Sequence, residues 1–263
     1  MLSEAVRSEI ATSLEEAYRS RRPVPRLTGQ YSEIEIEDAY RIQEEFVRRK
    51  LERGAVLKGY KVGLTSKPMQ EMAGTSEPDF SAMTNDLFLP EDTPLEIDTF
   101  FSPIIEMEIA FVLKDRLEGP NVLPVDVIRA TDFVLPAIEI VDFRVEREPG
   151  FNIIDTVADL AACGAAVVGG NPRRLDQLDI RTVRGTLVKN GETLEEGEAS
   201  AVLGNPVAAV AWLANKLSEF GVVFEPGNTI MTGSFVRAIP IEAGDEITCR
   251  FDQGLGEVTT RFV

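Results

Sequence analysis

The stretch Ile104-Ile105-Glu106-Met107-Glu108-Ile109-Ala110-Phe111-Val112 decides the fold. An apolar run of this length reads as a β-strand, and strand side chains alternate between faces with a period of two. Glu106 and Glu108 therefore point one way, and Ile105, Met107 and Ile109 the other. Two like charges side by side in an otherwise apolar strand repel each other and resist burial, so something must neutralise them. A third acid, Glu139, lies in a second apolar run, Val134-Leu135-Pro136-Ala137-Ile138-Glu139-Ile140-Val141. The chain has no histidine, so no imidazole can serve as ligand or general base. Three carboxylates on neighbouring strands suggest an all-oxygen site for a hard divalent cation. The competing reading is a Glu-x-Glu pair on the solvated face of an amphipathic strand. Apolar flanks on both faces favour a buried strand instead.

The length of 263 residues fits one large domain, or a domain with an N-terminal extension. Hydrophobic residues make up 44% of it, enough for a real core, and nothing resembles a disordered chain. The N-terminus, Met1-Leu2-Ser3-Glu4-Ala5-Val6-Arg7, lacks the apolar stretch of a signal peptide, and no transmembrane run is present; a cytoplasmic location is expected. Cys163 and Cys249 fit no zinc pattern or disulfide framework and read as small buried apolar residues. Net charge is −17, from 27 basic and 44 acidic residues. That disfavours nucleic acid and anionic membranes as partners. An anionic substrate would need a local cation, from a metal or a specific Lys or Arg.

The first sixty residues look helical. Ala5 to Arg19 carries helical periodicity, which Arg21-Arg22-Pro23-Val24-Pro25 breaks. Ser32-Glu33-Ile34-Glu35 matches a capping box, so a second helix is expected to start at Ser32 and end near Gly54. Leu57 to Leu64 reads as a strand. Residues 66–103 look irregular, with a short helix around Pro68 to Met72. The two Glu-bearing strands follow, separated by a short helical stretch near Val125 to Ala130. Strands are expected at 164–169 and 184–189, the latter turning at Asn190-Gly191. Asn205 and Pro206 open a helix whose apolar face carries Val207, Val210, Ala211, Leu213, Ala214 and Leu217. Strands close the chain from Thr229. The pattern is α+β: residues 1–263 as a single catalytic domain, with a helical portion at 1–56 and a β-rich body at 57–263.

Several groups could do chemistry. Lys61, in Gly59-Tyr60-Lys61-Val62-Gly63-Leu64-Thr65, sits in a largely apolar strand between glycines that permit close approach by a ligand. A lysine in that setting calls for a carboxylate partner; the alternative is an edge-strand surface lysine. Asp79, in Glu77-Pro78-Asp79-Phe80, reads as a loop carboxylate, either a general acid or base or a turn residue. Asp155 reads as a helix cap. Gly233 and Ser234 end an apolar strand, where N–H groups and a hydroxyl could hold an anion; the alternative is a plain strand-end turn. Thr65, Gly233, Ser234 and Arg144 are the candidate substrate contacts. Arg144 and Arg237 are the cations available for a distal carboxylate, with surface salt bridges as the alternative. No Walker loop, dinucleotide fingerprint or GxSxG elbow is present.

The segments GYKVGLTSKPMQ (59–70), EPDF (77–80), PIIEMEIAFVL (103–113), LPAIEIVDFR (135–144), DTVAD (155–159), LGNPVAAVAWLANKL (203–217) and PGNTIMTGSF (226–235) occur in an order and spacing that is specific as a set. Together they resemble the hydratase/decarboxylase branch of the fumarylacetoacetate hydrolase superfamily. The resemblance covers nearly the whole chain and implies that family's mixed β-rich barrel or roll behind an N-terminal helical layer. It implies Mg²⁺ or Mn²⁺ on Glu106, Glu108 and Glu139, and maps the family's active-site lysine and aspartate to Lys61 and Asp79. It implies a metal-dependent hydratase that adds water to a 2-hydroxy-dienoate or 2-oxo-enoate in aromatic meta-cleavage catabolism. The alternatives are a 4-oxalocrotonate decarboxylase and a non-catalytic partner subunit. Hydrolytic members generally use a histidine that this chain lacks. A homo-oligomer is implied, as is association with a hydratase, decarboxylase or aldolase of the same pathway. One departure stands out. The family pattern after DTV often reads ADNAS or ADNAA, whereas this chain has Ala158-Asp159-Leu160-Ala161-Ala162. If that segment lines the pocket, substrate preference differs from familiar members.

Overall fold

The structure, a computed structural model, describes residues 1–91 and 93–263. Its helical layer comprises α1 (Glu4–Ser20), α2 (Leu27–Gln30) and α3 (Ile36–Glu52). β1 (Leu57–Gly63), α4 (Lys67–Ala73), β2 (Asp79–Thr84) and β3 (Phe88–Leu89) come next. The long strands β4 (Ile104–Leu113) and β5 (Thr131–Val141) flank α5 (Pro124–Ala130). Then follow α6 (Ile153–Ala158), β6 (Cys163–Val168), β7 (Arg184–Lys189), β8 (Glu192–Glu198) and α7 (Pro206–Ser218). The chain closes with β9 (Thr229–Met231), β10 (Ile239–Pro240), β11 (Glu246–Phe251) and β12 (Gly256–Arg261).

Eight strands form one mixed sheet in the order β2-β1-β9-β4-β5-β6-β3, with β10 beside β4; β12-β11-β7-β8 form a second sheet. The pairing of β4 with β5 sets Glu106 directly opposite Glu139. Opposite residues of a pair share a face, so Glu106, Glu108 and Glu139 all rise from one side. The other side of β4 meets the second sheet, where Gly185 of β7 lies against the Met107 thioether. The large sheet is strongly curled. β1 lies three places from β5, about 14 Å away in a flat sheet at the usual strand spacing. Yet Lys61 Nζ of β1 comes within 3.6 Å of Glu139 Oε1 of β5. One apolar cluster joins the layers, running from Ile10, Leu14 and Ile42 through Val62 and Ile109 to Ile247 and Val258.

Two local expectations are corrected. Residues 66–103 are not irregular throughout: β2 and β3 lie within them, and Asp79 opens β2 rather than sitting in a loop. The stretch carries Asp79, Ser81 and Thr84, a weak strand signal; pairing with β1, a tertiary event, makes it a strand. The helix expected from Ser32 starts at Ile36 instead, with Glu35 as N-cap. Asp38 decides this start. It is fully buried and accepts the Glu35 N–H at 3.1 Å, and its two oxygens each lie 3.0 Å from the Leu2 nitrogen. The two free cysteines are buried, as expected. Among the described residues no helix is long and apolar enough to cross a membrane.

Because Asp38 ties the chain start to the first turn of α3, Asp38→Ala strands the buried Leu2 N–H and the part-buried Glu35 N–H. We expect a loss of about 2–4 kcal/mol of unfolding free energy. Urea denaturation reads it directly; a change under about 0.5 kcal/mol would show that the anchor carries no energy.

Candidate active site

Glu108 and Glu139 are fully buried and Glu106 nearly so. Each offers an oxygen within 4.8 Å of those of the other two. Glu108 Oε2 accepts the Gly233 N–H at 2.8 Å. Glu108 Oε1 and both Glu139 oxygens have no hydrogen-bond partner among the described residues. Burial pushes the Glu106 carboxyl up to about 7, reinforced by the Glu139 charge. Burial, then Glu139 and Glu106, hold the Glu108 carboxyl well above the usual carboxylate range. A cluster of buried, unpartnered carboxylate oxygens is the donor set of a hard divalent cation, so the residues fit Mg²⁺ or Mn²⁺.

Lys61 projects from β1 to the same place. Its Nζ lies 3.6 Å from Glu139 Oε1 and 3.8 Å from Asp79 Oδ1. Burial works against the ammonium, but the Glu139 and Asp79 charges outweigh it and hold the amine protonated, above its ordinary range. Asp79 is raised: burial and the Glu139 charge outweigh the lowering effect of Lys61 and of the Gly63 N–H. Asp79 Oδ1 has no hydrogen-bond partner among the described residues. Gly63 stands opposite Asp79 in the β1–β2 register, and a Cβ there would collide with Asp79 Oδ1 and crowd Lys61 Nζ. A Cβ on Gly59 would likewise strike the Thr229 carbonyl. The glycines beside Lys61 thus admit protein neighbours, where the sequence suggested a ligand.

The other candidates divide. Gly233 adopts φ +93°, which favours glycine, and a Cβ there would strike Thr65 Oγ1. Thr65 and Gly233 are therefore neighbours beside the carboxylates. The Gly233 N–H is spent on Glu108, so it braces a carboxylate where the sequence suggested an anion contact. The Ser234 hydroxyl turns into its own loop and donates to the Val236 carbonyl at 3.0 Å.

Arg144 is corrected: it is neither a surface residue nor free for a distal carboxylate. It is fully buried, its Nε pairs with Asp159 Oδ1, and its Nη2 donates to the carbonyls of Asp159 and Cys163 at 2.9 and 3.0 Å. Those carbonyls bracket Leu160, Ala161 and Ala162, which have φ of 54°, 48° and 57°. Successive left-handed residues other than glycine cost about 1–2 kcal/mol each, and Arg144 holds them. Leu160 is itself buried, so the departure from the family pattern falls in the core. Arg237 is exposed and paired with Glu195. Asp155 is a buried tie: it accepts the Thr28 N–H and hydroxyl as well as the Asn152 N–H.

The raised carboxyls set a pH dependence. Folded Glu106 titrates at about 7 against an ordinary 4.5, so the unfolded chain ionises first as pH rises. Metal-free stability from this group is full below about pH 4.5 and drains toward pH 7. A divalent cation binds the ionised form and reverses the loss. We expect Mg²⁺ to raise Tm more at about pH 7.5 than at about pH 5.5 in scanning calorimetry; equal shifts would contradict the cluster. Separately, Arg144→Met leaves Asp159 buried and unpaired, and a loss of about 3–5 kcal/mol is expected in denaturant titration. A loss under about 1 kcal/mol would contradict the bracing role.

Comparison with known proteins sets this geometry in a family. Residues 56–263 match the model for the fumarylacetoacetate (FAA) hydrolase C-terminal domain. The chain is 42% identical to a 2-oxo-hept-4-ene-1,7-dioate hydratase of Escherichia coli, covering 97% of each. It is 39% identical to a 4-oxalocrotonate decarboxylase of Pseudomonas putida, covering 97% of this chain and 96% of that one. Among solved structures, the 4-oxalocrotonate decarboxylase of Pseudomonas putida G7, complexed with magnesium and adipate, superposes with a TM-score of 0.96 at 36% identity. That likeness covers 100% of this chain and 99% of the other. With a curled mixed sheet, an N-terminal helical layer and these full-length likenesses, the chain belongs to the fumarylacetoacetate hydrolase family.

Proposed function

We propose that this protein is a Mg²⁺- or Mn²⁺-dependent hydratase that converts a 2-hydroxy-dienoate, through its 2-oxo-enoate tautomer, into a 4-hydroxy-2-oxo acid in aromatic meta-cleavage catabolism. The observation that carries the reading is the set of unpartnered buried oxygens on Glu108 and Glu139 facing the Lys61–Asp79 pair. The 42% identity to a hydratase supports water addition as the reaction. Decarboxylation of 4-oxalocrotonate is the second reading, favoured by the TM-score of 0.96 to a decarboxylase.

Glu106, Glu108 and Glu139 would hold the cation. It would polarise the 2-oxo group of the substrate and offset negative charge growing on that oxygen. Gly233 fixes the Glu108 carboxylate through its N–H. Lys61 and Asp79, 3.8 Å apart, form the proton-transfer pair. Tautomerisation removes a proton from the 2-hydroxyl and delivers one to the far carbon. Hydration takes one from water as the C–O bond forms, and returns one to the carbon next to the 2-oxo group. Burial raises the Asp79 carboxyl and so favours its protonated form, and a charged ammonium can orient an anionic substrate. Thr65 borders the site beside Gly233 and is a substrate contact on this reading. Gly233 contributes mainly by bracing Glu108, and Ser234 by shaping its turn. The whole chain acts as one catalytic unit, with residues 1–56 as its helical portion and 57–263 as its β-rich body. It works as a homo-oligomer in the cytoplasm, with a hydratase, decarboxylase or aldolase of the pathway as its associate.

The test offers Mg²⁺-loaded protein 2-hydroxypenta-2,4-dienoate and 2-oxo-3-hexenedioate, with water addition followed by mass and CO₂ release followed separately. Hydration is expected, abolished by chelation and restored by Mg²⁺. Release of CO₂ without hydration selects the decarboxylase reading; no turnover of either favours a partner subunit. Lys61→Ala should bind metal normally and lose at least about a hundredfold in kcat; full turnover would remove the lysine from the mechanism.

A further inference from the structure

The family model begins at residue 56, so α3 lies outside it, yet one of its side chains reaches the strand that carries Asp79. Gln43 of α3 is 4% exposed, and its Nε2 donates to the Phe80 carbonyl at 3.0 Å and to the Val157 carbonyl at 2.8 Å. β2 ends the order of the large sheet, so among the described residues its outer edge has no strand to supply donors. Val157 lies in the last turn of α6, where carbonyls have no partner within the helix. One amide thus serves both an edge strand and the end of the helix packed against it. Tyr40, nearly one turn earlier in α3, stacks on the Phe80 ring at 4.3 Å and 15°. α3 therefore grips Phe80 by both ring and carbonyl.

Asp79 is the residue before Phe80, and its pairing with Gly63 is the last of the β1–β2 register. The final pair of an edge ladder opens more easily than its interior unless something outside holds it. We propose that Gln43 is a positioning residue for the reaction: by clamping Phe80 to α6 it fixes the backbone that presents Asp79 to Lys61. On this view the helical layer is part of the working site. The inference rests on the reading of Asp79 as a proton-transfer group. Misplacement of a reacting group by about 1 Å costs on the order of a hundredfold in rate.

Gln43→Met keeps the length of the side chain and removes both donors. Gln43→Asn keeps the amide but is a methylene too short to span both carbonyls, and it is the gentler variant if Gln43→Met does not fold. With 2-hydroxypenta-2,4-dienoate as substrate, kcat is expected to fall about ten- to a hundredfold in Gln43→Met and less in Gln43→Asn. KM should stay within about threefold, because binding to the cation is untouched. Mg²⁺ affinity by calorimetry should be unchanged, since the carboxylates stand on β4 and β5. A cycle with Asp79→Asn separates the claims. If Gln43 acts through Asp79, either Gln43 variant adds little to the loss already caused by Asp79→Asn. Multiplying losses, unchanged kcat in both Gln43 variants, or a parallel loss of Mg²⁺ affinity would each overturn the assignment of Gln43. Full activity of Asp79→Asn would overturn the proton-transfer reading and this inference with it.

Discussion

Repulsion among Glu106, Glu108 and Glu139 is the constraint around which the rest is arranged. Strand register puts two of them directly opposite and the third two residues along, on one face. Like charges opposite each other destabilise a sheet even when solvated, and here they are buried. The Gly233 N–H takes one oxygen, and Lys61 approaches Glu139 without hydrogen-bonding it. Neither satisfies the cluster. The metal-free cluster relieves this by taking up protons, and a divalent cation relieves it with the carboxylates ionised; the same ion is what a 2-oxo acid needs to stabilise an enolate.

The curl of the sheet turns that cluster into a site. Lys61 stands three strands from Glu139 in the order, about 14 Å apart at the backbone if the sheet were flat. Curling brings its amine to Glu139, while the direct pairing of β1 with β2 sets it beside Asp79. Gly59 lets β1 sit against the β9 backbone at Thr229, and Gly63 leaves room for the Asp79 carboxylate beside Lys61. Burial disfavours charge on both groups, yet the neighbouring carboxylates, Glu139 first, raise the amine, while burial raises the Asp79 carboxyl.

Around this centre lies a shell of buried polar ties. Arg144 pairs with Asp159 and spans a left-handed turn of three residues. Asp155 holds α2 to α6, and Gln43 joins α3 to both β2 and α6. Each uses a polar group that would be costly to bury unpaired. Together they tie the helices and the left-handed turn to one another, and Gln43 ties them to the edge strand β2.

The Glu-x-Glu strand, the lone lysine between glycines and the long apolar runs were legible from residue order, because strand alternation needs nothing beyond the local chain. The same holds for α7, whose Asn205 cap and Pro206 start stand as expected. Asp79 was harder to place. Its strand is polar and short, and it exists because β1 pairs with it. The start of α3 moved from Ser32 to Ile36 because Asp38 also binds the Leu2 N–H, a contact 36 residues distant in sequence. Arg144 looked like a cation for substrate because nothing nearby in sequence reveals that Asp159 lies within reach. Residue order thus determined which side chains share a face and which chemistry they can support. Which of them meet was decided by the curl of the sheet and the register of its strands, since distances across strands depend on the whole fold rather than on any one segment.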